Sequence, residues 1–498
     1  MPYDLAVVSP NKANAGLKTL ASEPEGHAEP SRRPPTERLG CVACHKVWPL
    51  NRPNHRTVKP TGPQGFEMLK MLLKFQRDPL TTLALLTQTY GDIVCYRHGP
   101  FPVVLLNHPE AVHHVLVENH PNYGKRHSPF YRMLSYFLGN GLVTSDGDFW
   151  LRQRRLAQPA FQRKRIEALS PIIVRCTEEM VSQWRCRPAG QPLDAAEEMM
   201  HLTLRVAGLL LFSQDLSQNR HAVGRALDEV QSQMHGRFSS LLPLPPILPT
   251  PRDKRFRQAK EKLFTLALSI VEERRRTASP PADLLTSLME ARDPETGESM
   301  NDAQICDELV TFMLAGHETT AFTLTWALSL LSLHPGIRRS LEAEVDVGNP
   351  VLPRSLCDRI VLEALRLYPA AWIFGRCSHG PDEFRGFRIG ANQNVTVSPY
   401  ILHRNKEFWP NPEGFDPDRF LQDIPRGAFV PFAAGPRQCI GNHFAMLELR
   451  LVLSTIAKHV RLNLVAGVRP EPEALITLRP RGGLPVTLEF RDSAAVGH

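Results

Sequence analysis

The stretch that most restricts how this chain can fold runs from Asn301 to His334. Asn301-Asp302-Ala303-Gln304 has the spacing of a capping box, in which the first and fourth side chains satisfy each other's backbone N–H. A helical pattern then continues to His334-Pro335. At about 1.5 Å per residue that helix is ~50 Å long, enough to cross the whole molecule. Its middle, Ala315-Gly316-His317-Glu318-Thr319-Thr320, is poor helix material. A mid-helix glycine costs about 1 kcal/mol against alanine, and a mid-helix threonine can bond back to a carbonyl and bend the axis. Ala315 and Thr319 stand four apart and share a face. Small residues there leave room for a flat cofactor and O2; they equally suit a kink where two helices pack.

Further on, Phe432-Ala-Ala-Gly435-Pro-Arg437-Gln-Cys439-Ile-Gly441 precedes a stretch from Asn442 to His459 that reads as a helix. A cysteine in a glycine-rich loop before a helix N-terminus is placed for a stabilised thiolate, because the dipole and the unpaired amides favour negative sulfur and depress its pKa. Gly435 allows a positive φ, and Gly441 lets a flat ligand approach the backbone. Arg437 offers a fork for a carboxylate or phosphate, and Phe432 is placed to roof the sulfur. A buried, inert thiol is the other reading of Cys439 taken alone.

The full spacing Phe-x-x-Gly-x-Arg-x-Cys-x-Gly, with Ala445 one turn later, resembles the haem-binding loop of the cytochrome P-450 haem-thiolate monooxygenases. Ala-Gly-x-Glu-Thr-Thr resembles the oxygen-activation motif of the same family. The resemblance implies that Cys439 is the proximal ligand to the iron of haem b, an axial thiolate that favours O–O cleavage. It implies that Ala315 and Gly316 lie beside the haem and that Thr319 orders water next to O2. Glu318 then belongs to the proton-delivery route. Trp150 and Arg154, four apart on one helix face, match the family pair that binds a haem propionate, and Arg376 matches the arginine that reaches the other. Glu363-Ala-Leu-Arg366 with Arg419 resembles the family's Glu-x-x-Arg plus Arg triad, a structural lock. The link from Val345 to Glu363 departs from the pattern: it is several residues short and lacks the usual Leu-x-Tyr.

What the family likeness implies overall is a mainly α fold with small β-sheets and a single catalytic domain over residues 61–498. Residues 1–60, rich in proline, polar and basic residues, read as a flexible leader. Cys41-Val-Ala-Cys44-His45 inside it matches a c-type haem attachment motif, but no export signal precedes it. Before the long helix, Met68 to Tyr90 has helical spacing broken at Asp78-Pro79. Asp92–Tyr96 and Val103–Leu106 read as short strands around a His98-Gly99-Pro100 turn. Gly139-x-Gly141 follows no strand and lacks a third glycine, so it is no dinucleotide loop. The proline-rich stretch Leu241 to Pro249 reads as a rigid connector or as a lid over an apolar pocket.

Nine scattered cysteines make no disulfide framework and point to a reducing cytoplasm. No apolar run is long enough for a membrane span. The net charge of +8 comes without the interleaved aromatic and basic pattern of nucleic-acid binding. The basic run Arg152–Arg165 therefore suggests an acidic ferredoxin or flavodoxin, served by its own reductase, since no flavin or nicotinamide module follows the cysteine helix. Phe130, Tyr131, Met133, Leu134, Phe137, Phe312 and Trp372–Phe374 are the pocket candidates. They predict a lipophilic small-molecule substrate such as a terpenoid or fatty-acyl chain, handled by a monomer.

Overall fold

The computed structural model describes residues 58–98, 101–215, 250–348 and 352–491, with scattered positions between 226 and 237. The leader through residue 57, with Cys41, Cys44 and His45, lies outside the described residues, as does the stretch 241–249. Described contacts begin at Val58, which bridges to Phe387.

The helical run expected from Met68 to Tyr90 is two helices, α1 (Gly65–Arg77) and α2 (Pro79–Tyr90). Asp78 ends one and caps the other, its carboxylate accepting from the Thr81 N–H at 3.1 Å, while Pro79 takes the first helical position. Strands β1 (Ile93–His98) and β2 (Phe101–Leu106) pair antiparallel and are each longer than the sequence suggested. Tyr123–Gly124 forms β3, and later strands β4 (Phe374–Ser378) and β5 (Asn394–Val397) complete a sheet of order β1-β2-β5-β4-β3, with β2 and β5 parallel. A second sheet joins Leu193–Asp194, Pro485–Phe490 and Val460–Leu464. Neither the parallel pairing nor this second sheet has a local signature in the sequence.

The helices that matter for the site are α3 (Pro129–Leu138), α4 (Gly147–Ala157), α5 (Ser170–Arg185), α6 (Ala195–Phe212), α7 (Pro251–Arg276), α8 (Asp302–Leu333), α9 (Leu356–Leu367) and α10 (Asn442–His459). In α8 the capping box closes in both directions, Gln304 N–H to Asn301 Oδ1 and Asn301 N–H to Gln304 Oε1, each 2.9 Å. This helix is the axis of the fold, packed by α6, α7, α9 and α10. The Trp326 ring stacks on Tyr368 at 3.8 Å. The two glycines that imitated a dinucleotide loop are needed for close approach: a Cβ at Gly139 would lie 2.0 Å from Asp307, and one at Gly141 2.4 Å from Thr311 Oγ1. Among the described residues no helix is long and apolar enough to cross a membrane.

Candidate functional site

An ion triad fastens the segment that leads into the cysteine loop. Arg366 grips Glu363 with two bonds of 2.7 Å, and Arg419 Nε donates to Glu363 Oε1 at 3.0 Å. Glu363 and Arg366 are fully buried. Arg366 also donates to the carbonyls of His403, Pro412 and Gly414, so one guanidinium ties α9 to the segment that leads into the cysteine loop.

That loop is held in a conformation that only its own residues allow. Gly435 has φ +71°, and a Cβ there would meet the Leu116 carbonyl oxygen at 1.9 Å. Ala433 is also left-handed at φ +57°, a strained setting for a residue with a side chain. The Cys439 N–H donates to the Phe432 carbonyl at 2.9 Å and closes the turn. Arg154 from α4 donates to the Gln438 carbonyl at 3.0 Å, next to the sulfur. It therefore braces the loop, while Trp150, one turn earlier, lies under the Arg437 guanidinium at 4.0 Å from its ring centre.

Cys439 is exposed, yet protein surrounds it on all sides. The same contradiction appears on the long helix, where residues 311–314 are buried but Ala315 is exposed and Gly316 and Thr319 are half-buried. A Cβ on Gly316 would meet no atom within 4 Å, and one on Gly441 would meet only Phe161 at 3.8 Å. Helices α8 and α10 pack together, and open space beside the small residues of one and at the thiol just ahead of the other suits a flat ligand between them. The depressed sulfur pKa expected from the helix N-terminus is not what the fold produces. Burial pushes the thiol up, against the opposing pull of the Gly441 N–H and of Arg154. A cation at the sulfur reverses that balance.

Three cations gather at one edge. Arg376 is buried and donates to its neighbour Gly375 O and to the Tyr131 hydroxyl. Lys125, a residue that sequence reasoning missed, is also buried, bonding the Val143 carbonyl at 2.7 Å with its ammonium 4.5 Å from the Tyr131 ring centre. Arg437 pairs with Asp146 and donates to the Ser145 carbonyl. Burial first, then repulsion by Arg376 and Arg437, drives the Lys125 pKa well down. Burial likewise pushes Arg437 down to about 10. Burial alone would raise Asp146, but the Arg126 N–H and Arg437 hold its pKa below the usual range. One carboxylate thus sits among two buried cations, Lys125 and Arg376, and the half-buried Arg437. Uncompensated buried charge is costly, so the cluster fits a ligand that brings further carboxylates, such as the two of haem.

On α8 the threonines bond back along the helix, Thr319 to the Ala315 carbonyl at 2.7 Å and Thr320 to the Gly316 carbonyl at 3.1 Å. The helix stays α-helical throughout. Thr203 from α6 donates to the His317 carbonyl at 2.9 Å and staples the two helices at the motif. Burial holds His317 down to about 4, so its imidazole is neutral. Glu318 is buried beside it.

In the second turn of α8, Glu308 is buried and accepts from the Leu142 N–H at 3.0 Å, while its Oε1 has no hydrogen-bond partner among the described residues. Burial pushes this carboxyl up to about 8. Below its ordinary value of 4.5 both folded and unfolded chains hold the proton; between there and about 8 only the unfolded chain releases it, so stability falls as pH rises. Glu308→Gln keeps the acceptor and removes the ionisation. Urea unfolding should show the variant gaining on wild type between acid and mildly alkaline pH, by on the order of 5 kcal/mol. A difference that does not change with pH would overturn this account.

A cavity of about 350 Å³ opens between the start of the fold and the β4–β5 sheet, lined by Phe75, Leu80, Phe101, Met133 and Trp372 among others. Of the expected pocket residues, Phe130, Met133 and Trp372–Phe374 line it. Tyr131, Leu134 and Phe137 instead pack into the core, and Phe312 packs on Phe161 at 5.5 Å. Their positions on α3 and α8 follow core packing rather than the cavity. The basic run is also partly spent within the chain: Arg155 pairs with Asp293, Arg152 with Glu298 and Arg163 with Glu167.

The sequence profile of the cytochrome P-450 family matches residues 60–483. The chain belongs to the cytochrome P-450 family. Cyclooctatin synthase of Streptomyces melanosporofaciens is 37% identical over 442 residues, 85% of this chain and 95% of the relative. Cyclooctat-9-en-7-ol 5-monooxygenase of the same organism is 36% identical, covering 82% of this chain and 90% of its own length. Pentalenene oxygenase of Streptomyces avermitilis is 34% identical, covering 85% and 96%. This cytochrome P-450 is therefore an enzyme of a monooxygenase family, and haem is the cofactor that the family implies.

Proposed function

We propose that this cytochrome P-450 holds haem b through Cys439 and places one oxygen atom of O2 into a lipophilic, terpenoid-like substrate. The observation that carries the reading is the accessible Cys439 ahead of α10 together with the open Ala315-Gly316 face of α8, the helix that packs on it, and the cluster of buried Lys125 and Arg376 with half-buried Arg437. Bound there, haem supplies the activation of O2 that no side chain can perform. The chain supplies the rest. Lys125, Arg376 and Arg437 answer the two propionates, with Trp150 fixing the Arg437 plane. Arg154, Gly435 and Phe432 hold the loop that presents the sulfur, and Gly441 keeps a side chain out of the ligand's way. The Thr319 hydroxyl donates a hydrogen bond to the Ala315 carbonyl, which leaves the Oγ1 lone pairs to accept from a water on that face. Glu318, adjacent on the helix, serves as the source of protons for that water.

The relatives are named for cyclooctatin, cyclooctat-9-en-7-ol and pentalenene, and the lining of the cavity is largely apolar. Electrons come from a separate ferredoxin or flavodoxin with its reductase. Its docking face lies near the cysteine loop, where Arg163 and Arg450 stand close enough to His443 to lower its pKa, after burial itself.

The test is turnover with a surrogate ferredoxin, its reductase and isotopically labelled O2 over cyclic terpenes. A product carrying one labelled oxygen atom is expected. Turnover driven by peroxide alone and unaffected by Thr319→Ala would replace the reading with a peroxygenase. If only charged, polar compounds perturbed the iron spin state, the substrate class would be wrong.

A further inference from the structure

Helix α1 carries two apolar faces. Met71 is buried, and Met68, Leu72 and Phe75 pack with it against α2 and the first strands. On the opposite side Phe66, Leu69 and Leu73 stand 69%, 50% and 49% exposed. Their spacing of i, i+3 and i+7 places them in one stripe. Lys70, Lys74 and Arg77 run alongside it, all exposed, and none makes an ion pair among the described residues. Lys70 Nζ lies 4.7 Å from the Phe66 ring centre. The acid of the helix, Glu67, accepts a hydrogen bond from the Tyr90 hydroxyl at 3.1 Å. The last turn, Phe75 to Arg77, also lines the cavity, and Gln76, Arg77 and Asp78 are exposed, so the cavity opens beside this helix.

We propose that α1 docks this enzyme on an anionic lipid surface. Phe66, Leu69 and Leu73 enter the headgroup boundary, and Lys70, Lys74 and Arg77 meet lipid phosphates. An exposed stripe of aromatic and aliphatic residues bordered by cations is what an interfacial helix requires. Charge complementarity selects this occupant over the alternatives. A second copy of the chain would bring the same basic border against itself. Residues 1–57 carry more Lys and Arg than Asp and Glu and would also meet it with like charge. Docked this way, the cavity opening faces the layer in which a lipophilic substrate is dissolved. The proposal does not depend on turnover, so its test is separate from that of the monooxygenase reading.

The full-length protein is sedimented with vesicles of phosphatidylcholine alone and of phosphatidylcholine and phosphatidylglycerol in equal amounts. Binding to the anionic vesicles and little to the neutral ones is expected. Replacing Phe66, Leu69 and Leu73 together by serine, all on the exposed side, should abolish it. Lys70→Gln with Lys74→Gln should weaken partitioning roughly fivefold per charge lost. Equal binding by the serine variant, or none by wild type, overturns the proposal. Absent binding together with a dimer that the serine variant dissociates would assign the stripe to a second copy. Absent binding with a monomer would assign it to the leader.

Discussion

Cys439→Ala is expected to remove the strongly red-shifted Soret band from the reduced, carbon-monoxide-bound difference spectrum and to bring oxygenase activity below detection. The size of the effect follows from the geometry. The other described thiols are elsewhere: Cys176, Cys306, Cys357 and Cys377 are buried, Cys95 is half-buried in β1, and Cys186 follows α5 on the surface. Cys439 alone among the described thiols sits in the glycine-rich loop that leads into α10. A haem bound by the variant would have no thiolate to replace the lost one, and the electron push that a thiolate supplies has no substitute in the alanine side chain. A band typical of histidine ligation in wild type, or a spectrum indifferent to the substitution, would contradict the assignment of Cys439.

The second large effect concerns stability. Arg366→Leu is expected to cost about 3–5 kcal/mol, the usual penalty for stranding one member of a buried ion pair. Set against a total stability of roughly 5–15 kcal/mol, such a loss leaves little folded protein. Glu363 would keep only Arg419 and the Asp416 N–H, and the carbonyls of His403, Pro412 and Gly414 would each lose a donor. Glu363→Gln should be milder, because the amide oxygen still accepts from one arginine. Unfolding midpoints in urea and yields of haem-loaded protein measure both. A midpoint unchanged in Arg366→Leu would show that the triad does not hold the segment leading to the cysteine loop.

The contrast between what could and could not be read in advance is sharpest at the cluster of Lys125, Arg376 and Arg437. Arg376 and Arg437 stood in recognisable motifs, but Lys125 has no motif around it. It joins the cluster because β3 places residues 123–124 beside β4, a pairing between residues more than 250 apart in sequence. The only signal was a lysine just after a Tyr-Gly pair, which is no signal at all. Arg154 shows a subtler limit. Its helical spacing from Trp150 was legible, but which of several acceptors it would meet depended on where the cysteine loop came to rest.

By itself the sequence determined the long helix and its cap, the break between α1 and α2, and the glycine at the turn before Cys439. Each is set by contacts within a few residues or by a backbone conformation that one residue type alone allows. Tertiary structure decided which way the Cys439 pKa moves, because burial by distant segments outweighs the local helix N-terminus. It also separated the cavity-lining Phe130 and Met133 from the core residues Tyr131, Leu134 and Phe137 on the same short helix, and left Phe66, Leu69 and Leu73 facing outward. Apolar side chains on a helix look alike in sequence. What they touch is fixed only when the rest of the chain has packed around them.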